Sequence, residues 1–125
     1  MKPALITQLL ESPFPFYMAG SKYFRYDSAS SDTDLVVEYS TAVVEFIEQL
    51  GFMQLKDLRW RNVDVVGIYL LDHIHIQVVI DIHKRLDVME TIQKHLAPKE
   101  IKQLFSKGDL CNRLWDLCLE LRDMH

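Results

Sequence analysis

"AGSKYFRYDSASSDTDLVV", residues 19 to 37, sets a Gly-Ser pair ten residues ahead of Asp-Thr-Asp, where an apolar run begins. The preceding residues, Phe14 to Ala19, read as a short buried strand with Pro15 at its start. Gly20 lets the chain turn and lets another group approach the backbone closely. Lys22 to Tyr26 then reads as a short helix, Asp27 to Ser31 as a polar loop, and Thr33 to Tyr39 as a β-rich second strand. Asp32 and Asp34 are two apart at a strand start, so both side chains leave the same face. Like charges held side by side repel. A divalent cation relieves that repulsion, since Mg²⁺ takes oxygen ligands from one or two carboxylates together with substrate phosphates. The N–H donors of the turn into the helix, the Ser21 hydroxyl, and the cations Lys22 and Arg25 suit an anion. One element is thus expected to hold phosphate and the next to hold metal, the two halves of a triphosphate site.

Outward from this window, the chain of 125 residues predicts a single domain. A helix is expected from Pro3 to about Glu11, stopped by Ser12-Pro13. Another follows from Thr41 to Leu50, closed by Gly51. A short strand is expected near Phe52 to Lys56, then two longer ones, Val63 to Leu71 and Ile74 to Ile82, joined by Asp72-His73 as a hairpin turn. Leu86 to Leu96, Pro98 to Phe105 and Asp109 to Asp123 read as helices, with Asp109 as an N-cap. The expected class is α+β, a mixed sheet flanked by helices with a helical C-terminal third. Residues 1–85 would form the sheet-containing core and 86–125 the C-terminal helices of one domain, 1–125.

Composition narrows the function classes. Net charge is −4, so no global basic field favours non-specific nucleic-acid binding. No apolar run approaches the roughly 18 residues of a membrane helix, and the N-terminal residues lack a signal-peptide stretch, which predicts a cytoplasmic protein without a membrane. Cys111 and Cys118 are seven apart in a helical pattern, about 10 Å along the axis and beyond disulfide reach. His73, His75 and His83 would spread over more than about 30 Å on one strand, so they read as structural or exposed. Trp60 between Arg59 and Arg61 reads either as a base-stacking platform or as a partly buried tryptophan.

The window resembles the polymerase-beta-type nucleotidyltransferase superfamily, as a minimal single-domain member. The residues that carry the likeness are Tyr17-Met18-Ala19-Gly20-Ser21, the stretch Lys22 to Ser31, and Asp32-Thr33-Asp34-Leu35-Val36-Val37. They cover about a fifth of the chain, and the order of elements through Lys56 fits the family's core. The resemblance implies an enzyme that uses Mg²⁺ or Mn²⁺ to move a nucleoside monophosphate from a nucleoside triphosphate to an acceptor hydroxyl of protein, RNA or a small molecule, releasing pyrophosphate. It places Asp32 and Asp34 on the metal, and Gly20, Ser21, Lys22 and Arg25 around the phosphates. Arg25 departs from similar members, which often carry glycine there. The resemblance also implies a third carboxylate from a neighbouring strand, with Asp81 favoured and Asp64 as the alternative. If Asp72-His73 is a two-residue turn, Asp64 and Asp81 face each other at the open end of the hairpin, whereas His75 lies near the turn. Minimal family members often act with a helical partner, as the antitoxin half of a toxin–antitoxin pair. The apolar stripe of the last helix, around Trp115, accordingly suggests a homodimer seam or a docking site for a helical protein. A metal-dependent nuclease also uses clustered carboxylates, but an obvious Glu-x-Lys pair is missing.

Overall fold

The fold is described from a computed structural model, for residues 4–28, 32–56, 63–106 and 110–123, with the side chains of 105–106 and 110–113 excepted. Pro3, Ser31, Trp60 with its two flanking arginines, Asp109 and the Cys111 side chain therefore lie outside the described residues. The elements run α1 (Leu5–Leu10), β1 (Tyr17–Ala19), α2 (Gly20–Phe24), β2 (Thr33–Glu38), α3 (Thr41–Gln49), β3 (Met53–Gln54), β4 (Val65–Leu71), β5 (Ile74–Val79), α4 (Ile82–His95), α5 (Pro98–Ser106) and α6 (Leu110–Asp123). The protein is α+β, with a five-stranded mixed sheet flanked by helices and a helix-rich C-terminal region. The strand order is β1-β2-β5-β4-β3, with β2 and β5 parallel and the other pairs antiparallel.

Alternation along the strands splits the core in two. Leu35, Val37, Ile74, Ile76 and Val78 face Leu9 of α1, Val43 and Ile47 of α3, and Phe16. Val36, Ile68 and Val79 face the other way, onto α4, α5 and α6 through Val88, Met89, Ile92, Ile101, Leu114, Cys118 and Leu121. Each fully buried aliphatic side chain contributes about 1.5–3 kcal/mol. By the same alternation Asp34 and His75 belong to the α4–α6 face, at the end where β2 and β5 begin.

Local chemistry sets the ends of the elements. Ser40 caps α3 by accepting from the Val43 N–H at 3.1 Å, and Gly51, at φ +105°, closes it. Asp72 takes the left-handed conformation, φ +53°, which lets the glycine-free hairpin turn close. The strand expected over Phe14 to Ala19 is ordered as β only from Tyr17, because Ser12 and Phe14 form a local turn in which the Ser12 hydroxyl donates to Leu9 O at 2.7 Å. Phe14 and Phe16 still pack on Phe46, with centroids 5.4 and 6.5 Å away. The strand expected to reach Ile82 stops at Val79, and the helix expected from Leu86 starts at Ile82. The reason is capping: Asp81 accepts from the Lys84 N–H and Glu38 accepts from the Ile82 N–H, each at 3.2 Å.

Trp115, expected at the centre of a docking seam, is packed against the core, while Leu119 on the same helix is exposed. Among the described residues no helix is long and apolar enough to cross a membrane.

Candidate functional site

β1 ends with Ala19 opposite Asp34, so Gly20 is placed directly beside that aspartate. Gly20 has φ +61°, a conformation that costs any other L-residue about 1–2 kcal/mol. A β-carbon there would also run into the Asp34 carboxylate, 2.9 Å from Cγ. Glycine is needed twice over, once for the turn and once for the close approach. Ser21 and Lys22 follow in α2, and the Lys22 ammonium lies 3.8 Å from Asp27 Oδ2.

On the other side of Asp34 stands β5. The parallel register sets Asp34 opposite His75, and Thr33 N–H donates to His73 O at 2.8 Å. His75 turns one ring nitrogen to each carboxylate: Nδ1 is 3.5 Å from Asp34 Oδ1, and Nε2 is 3.7 Å from Asp32 Oδ2. His73 Nδ1 lies 3.4 Å from Asp32 Oδ1. All three separations exceed good hydrogen-bond length, so the attraction is chiefly electrostatic. Burial pushes the Asp34 carboxyl up to about 6, with Asp32 adding to the rise and His75 and Lys22 opposing it. Its side chain is only 26% exposed. A carboxylate held at this depth, without a close donor among the described residues, is stabilised by any cation that reaches it.

The remaining residues singled out from the sequence lie elsewhere. From His75 to Val79 is about 13 Å along β5 at ~3.3 Å per residue, and Asp64 and Asp81 lie at that far end. The hairpin keeps its two-residue-turn register from Leu71–Ile74 to Gly67–Val78, then shifts by a bulge before Val65. Asp64 is buried and takes a two-pronged ion pair from Arg85, Nη2 to Oδ1 at 2.6 Å and Nε to Oδ2 at 2.8 Å. Gln77 Oε1 accepts from Arg85 Nη1 at 2.6 Å. Asp81 caps α4. Neither carboxylate is brought to Asp32 and Asp34. Arg25, in the left-handed conformation at φ 64°, ends α2 and lines a pocket of about 290 Å³ with Phe24, Gln93, Lys94 and Leu96, a site distinct from the aspartate pair. Its backbone explains why glycine suits that position.

His73 and His75 read from the sequence as structural or exposed, yet both rings stand beside the aspartate pair. The available signal was their alternation, two apart beside the hairpin turn, but its meaning depended on β2 pairing in parallel with β5. His83 lies apart from them, exposed on α4.

The donor set therefore agrees with the implied metal in part. Two carboxylates two residues apart, one of them largely buried, suit a divalent cation. The cross-strand neighbour that would complete the set is an imidazole. As they stand, no three histidine, cysteine or carboxylate side chains among the described residues form a metal-holding group. No known family, curated protein or solved structure matches the chain.

Proposed function

We propose that the protein binds a nucleoside triphosphate together with a divalent cation and transfers the nucleoside monophosphate to an acceptor hydroxyl, releasing pyrophosphate. The observation that carries this reading is the apposition of the Gly20 backbone and the Asp34 carboxylate. It supports a phosphate-holding turn and a metal-holding strand that meet at one point. Asp32 and Asp34 would hold the cation. The Gly20–Ser21 turn and the Ser21 hydroxyl would orient the phosphates, and Lys22 would add positive charge beside them. A bound cation supplies neutralisation of the charge that develops on the transferring phosphoryl group. The protein's own part is positioning.

Calorimetric titration with ATP or CTP plus divalent metal tests the proposal. Asp32→Asn with Asp34→Asn keeps side-chain volume and removes both charges, so the heat of binding should vanish while the fold survives. Equal binding by both proteins would overturn it. Gly20→Ala is the poorer test, because its positive φ makes that change costly to folding as well.

A second reading has an observation of its own. With Asp64 held by Arg85 and Asp81 capping α4, no third carboxylate among the described residues stands with the pair, which favours nucleotide binding by an interaction protein over transfer. Labelled nucleoside triphosphates incubated with cell lysate separate the two readings. A labelled acceptor supports transfer, and binding without any labelled acceptor supports the interaction protein.

A further inference from the structure

His75 changes the donor chemistry of the aspartate pair. Its backbone is registered opposite Asp34, its ring reaches both aspartates, and a second imidazole, that of His73, reaches Asp32 from the turn. Four potential ligand side chains thus cluster at one end of the β2–β5 pair, two offering oxygen and two offering nitrogen. We propose that Asp32, Asp34 and His75, with His73 at the rim, bind a borderline first-row transition cation such as Co²⁺ or Zn²⁺ in preference to Mg²⁺. This rests on the reading of Asp32 and Asp34 as metal ligands, and not on nucleotide binding.

The chemistry of the donors carries the preference. Mg²⁺ demands near-ideal octahedral oxygen ligation and gives up its waters reluctantly. Imidazole suits zinc and its neighbours, and affinity across the row rises from manganese towards copper. A site of two carboxylates gains little for Mg²⁺ from a nearby ring, whereas a Co²⁺ or Zn²⁺ ion gains a strong ligand. Ligands bonded to one ion at about 2.0–2.2 Å lie roughly 3.0–3.5 Å from one another, and the donors stand near that range, with the two His75 contacts made by different ring nitrogens. The separations here are 3.4, 3.5 and 3.7 Å. Binding requires the His75 ring to turn one nitrogen into the space between the aspartates. That ring is 37% exposed, so it has room to move.

Burial adds a further reason. Asp34 has a desolvated carboxylate on the α4–α6 face, and Lys22, whose charge acts on it, lies 3.8 Å from Asp27. A cation held partly by uncharged nitrogen neutralises both aspartates without bringing a third negative charge into the site, as another carboxylate would.

The test uses the untagged full chain after removal of metals by a chelator. Co²⁺ titration is followed by visible absorption and Mg²⁺ titration by calorimetry, both without nucleotide. Wild type should half-saturate with Co²⁺ at a concentration at least ~tenfold below that for Mg²⁺, and His75→Asp should reduce that ratio by ~tenfold or more. His75→Gln, which keeps a neutral side chain if the aspartate variant misfolds, should weaken Co²⁺ by at least ~tenfold and leave Mg²⁺ within about twofold. Equal half-saturation by the two metals, or a ratio unchanged in both His75 variants, overturns the proposal. A parallel titration with ATP at saturating metal keeps the two readings apart. Co²⁺ binding without ATP binding defeats the nucleotide reading and leaves this one standing. ATP binding equally supported by both metals, with equal metal affinities, does the reverse.

Discussion

Charged groups occupy both ends of the β2–β5 pair, and they are treated in opposite ways. At the far end Asp64 receives two hydrogen bonds of 2.6 and 2.8 Å from Arg85, whose third nitrogen is taken by Gln77, and Asp81 caps a helix. At the near end Asp32 and Asp34 face each other's charge, offset by imidazoles at 3.4–3.7 Å and by Lys22. The far end spends its carboxylates on structure. The near end leaves its carboxylates short of donors, at the one place where a glycine backbone is pressed against them. A satisfied buried charge holds elements together, while an unsatisfied one is available to a ligand.

That contrast is most directly broken by removing Arg85. Arg85→Ala strands a buried aspartate, and denaturant unfolding should report a loss of about 3–5 kcal/mol. Metal binding at the other end should be unchanged in whatever protein remains folded. A mild effect would mean that the far end is not structurally committed.

Asp34→Asn is expected to act in the opposite direction. Because the Asp34 pKa is raised to about 6, the folded state binds more protons than the unfolded chain between about pH 4 and 6. The stability this contributes is fully present below about pH 4 and lost as pH rises through 6. In metal-free buffer the asparagine variant should therefore gain on wild type as pH rises across that window, by up to about 3 kcal/mol at pH 7. His75, Asp32 and Lys22 share this surface, so the difference between the two proteins is the quantity to follow. A difference that stays constant from pH 4 to 7 would contradict the strained state of the near end. Where a cation needs ionised Asp34, its affinity should fall below about pH 6.

Smaller effects sharpen the comparison. Asp81→Ala should cost about 1 kcal/mol through the lost cap of α4, with Asp81→Asn close to neutral because asparagine caps as well. Neither change should alter metal or nucleotide binding; a loss of binding would return Asp81 to the site. Arg25→Gly relieves a left-handed backbone and adds freedom to the unfolded chain, so thermal melting should show a net gain below about 1 kcal/mol. A clear loss of stability would show that the arginine side chain makes a compensating contact in the pocket beneath α2.

The sequence by itself determined the local units. Glycine at 20 before Ser21, the β-rich run from Thr33 and Gly51 after a helical stripe are signals that act within a few residues, and a turn, a strand and a helix end lie where they fall. Gly20 and Asp34 were legible as two halves of one expected site, whereas their direct contact came from the pairing of β1 with β2. The tertiary structure decided which carboxylates meet. The family resemblance implied a third carboxylate, Asp81 or in its stead Asp64, and within the hairpin the two do lie at one end. The parallel placement of β2 against β5 sets the start of β2 beside the hairpin turn, which carries His73 and His75 to the aspartates and leaves Asp64 and Asp81 about four residues' length away. Parallel pairing joins strands separated by some forty residues, and no local propensity records it; it follows from burying two apolar faces at once, one beneath α1 and α3 and the other beneath α4 to α6.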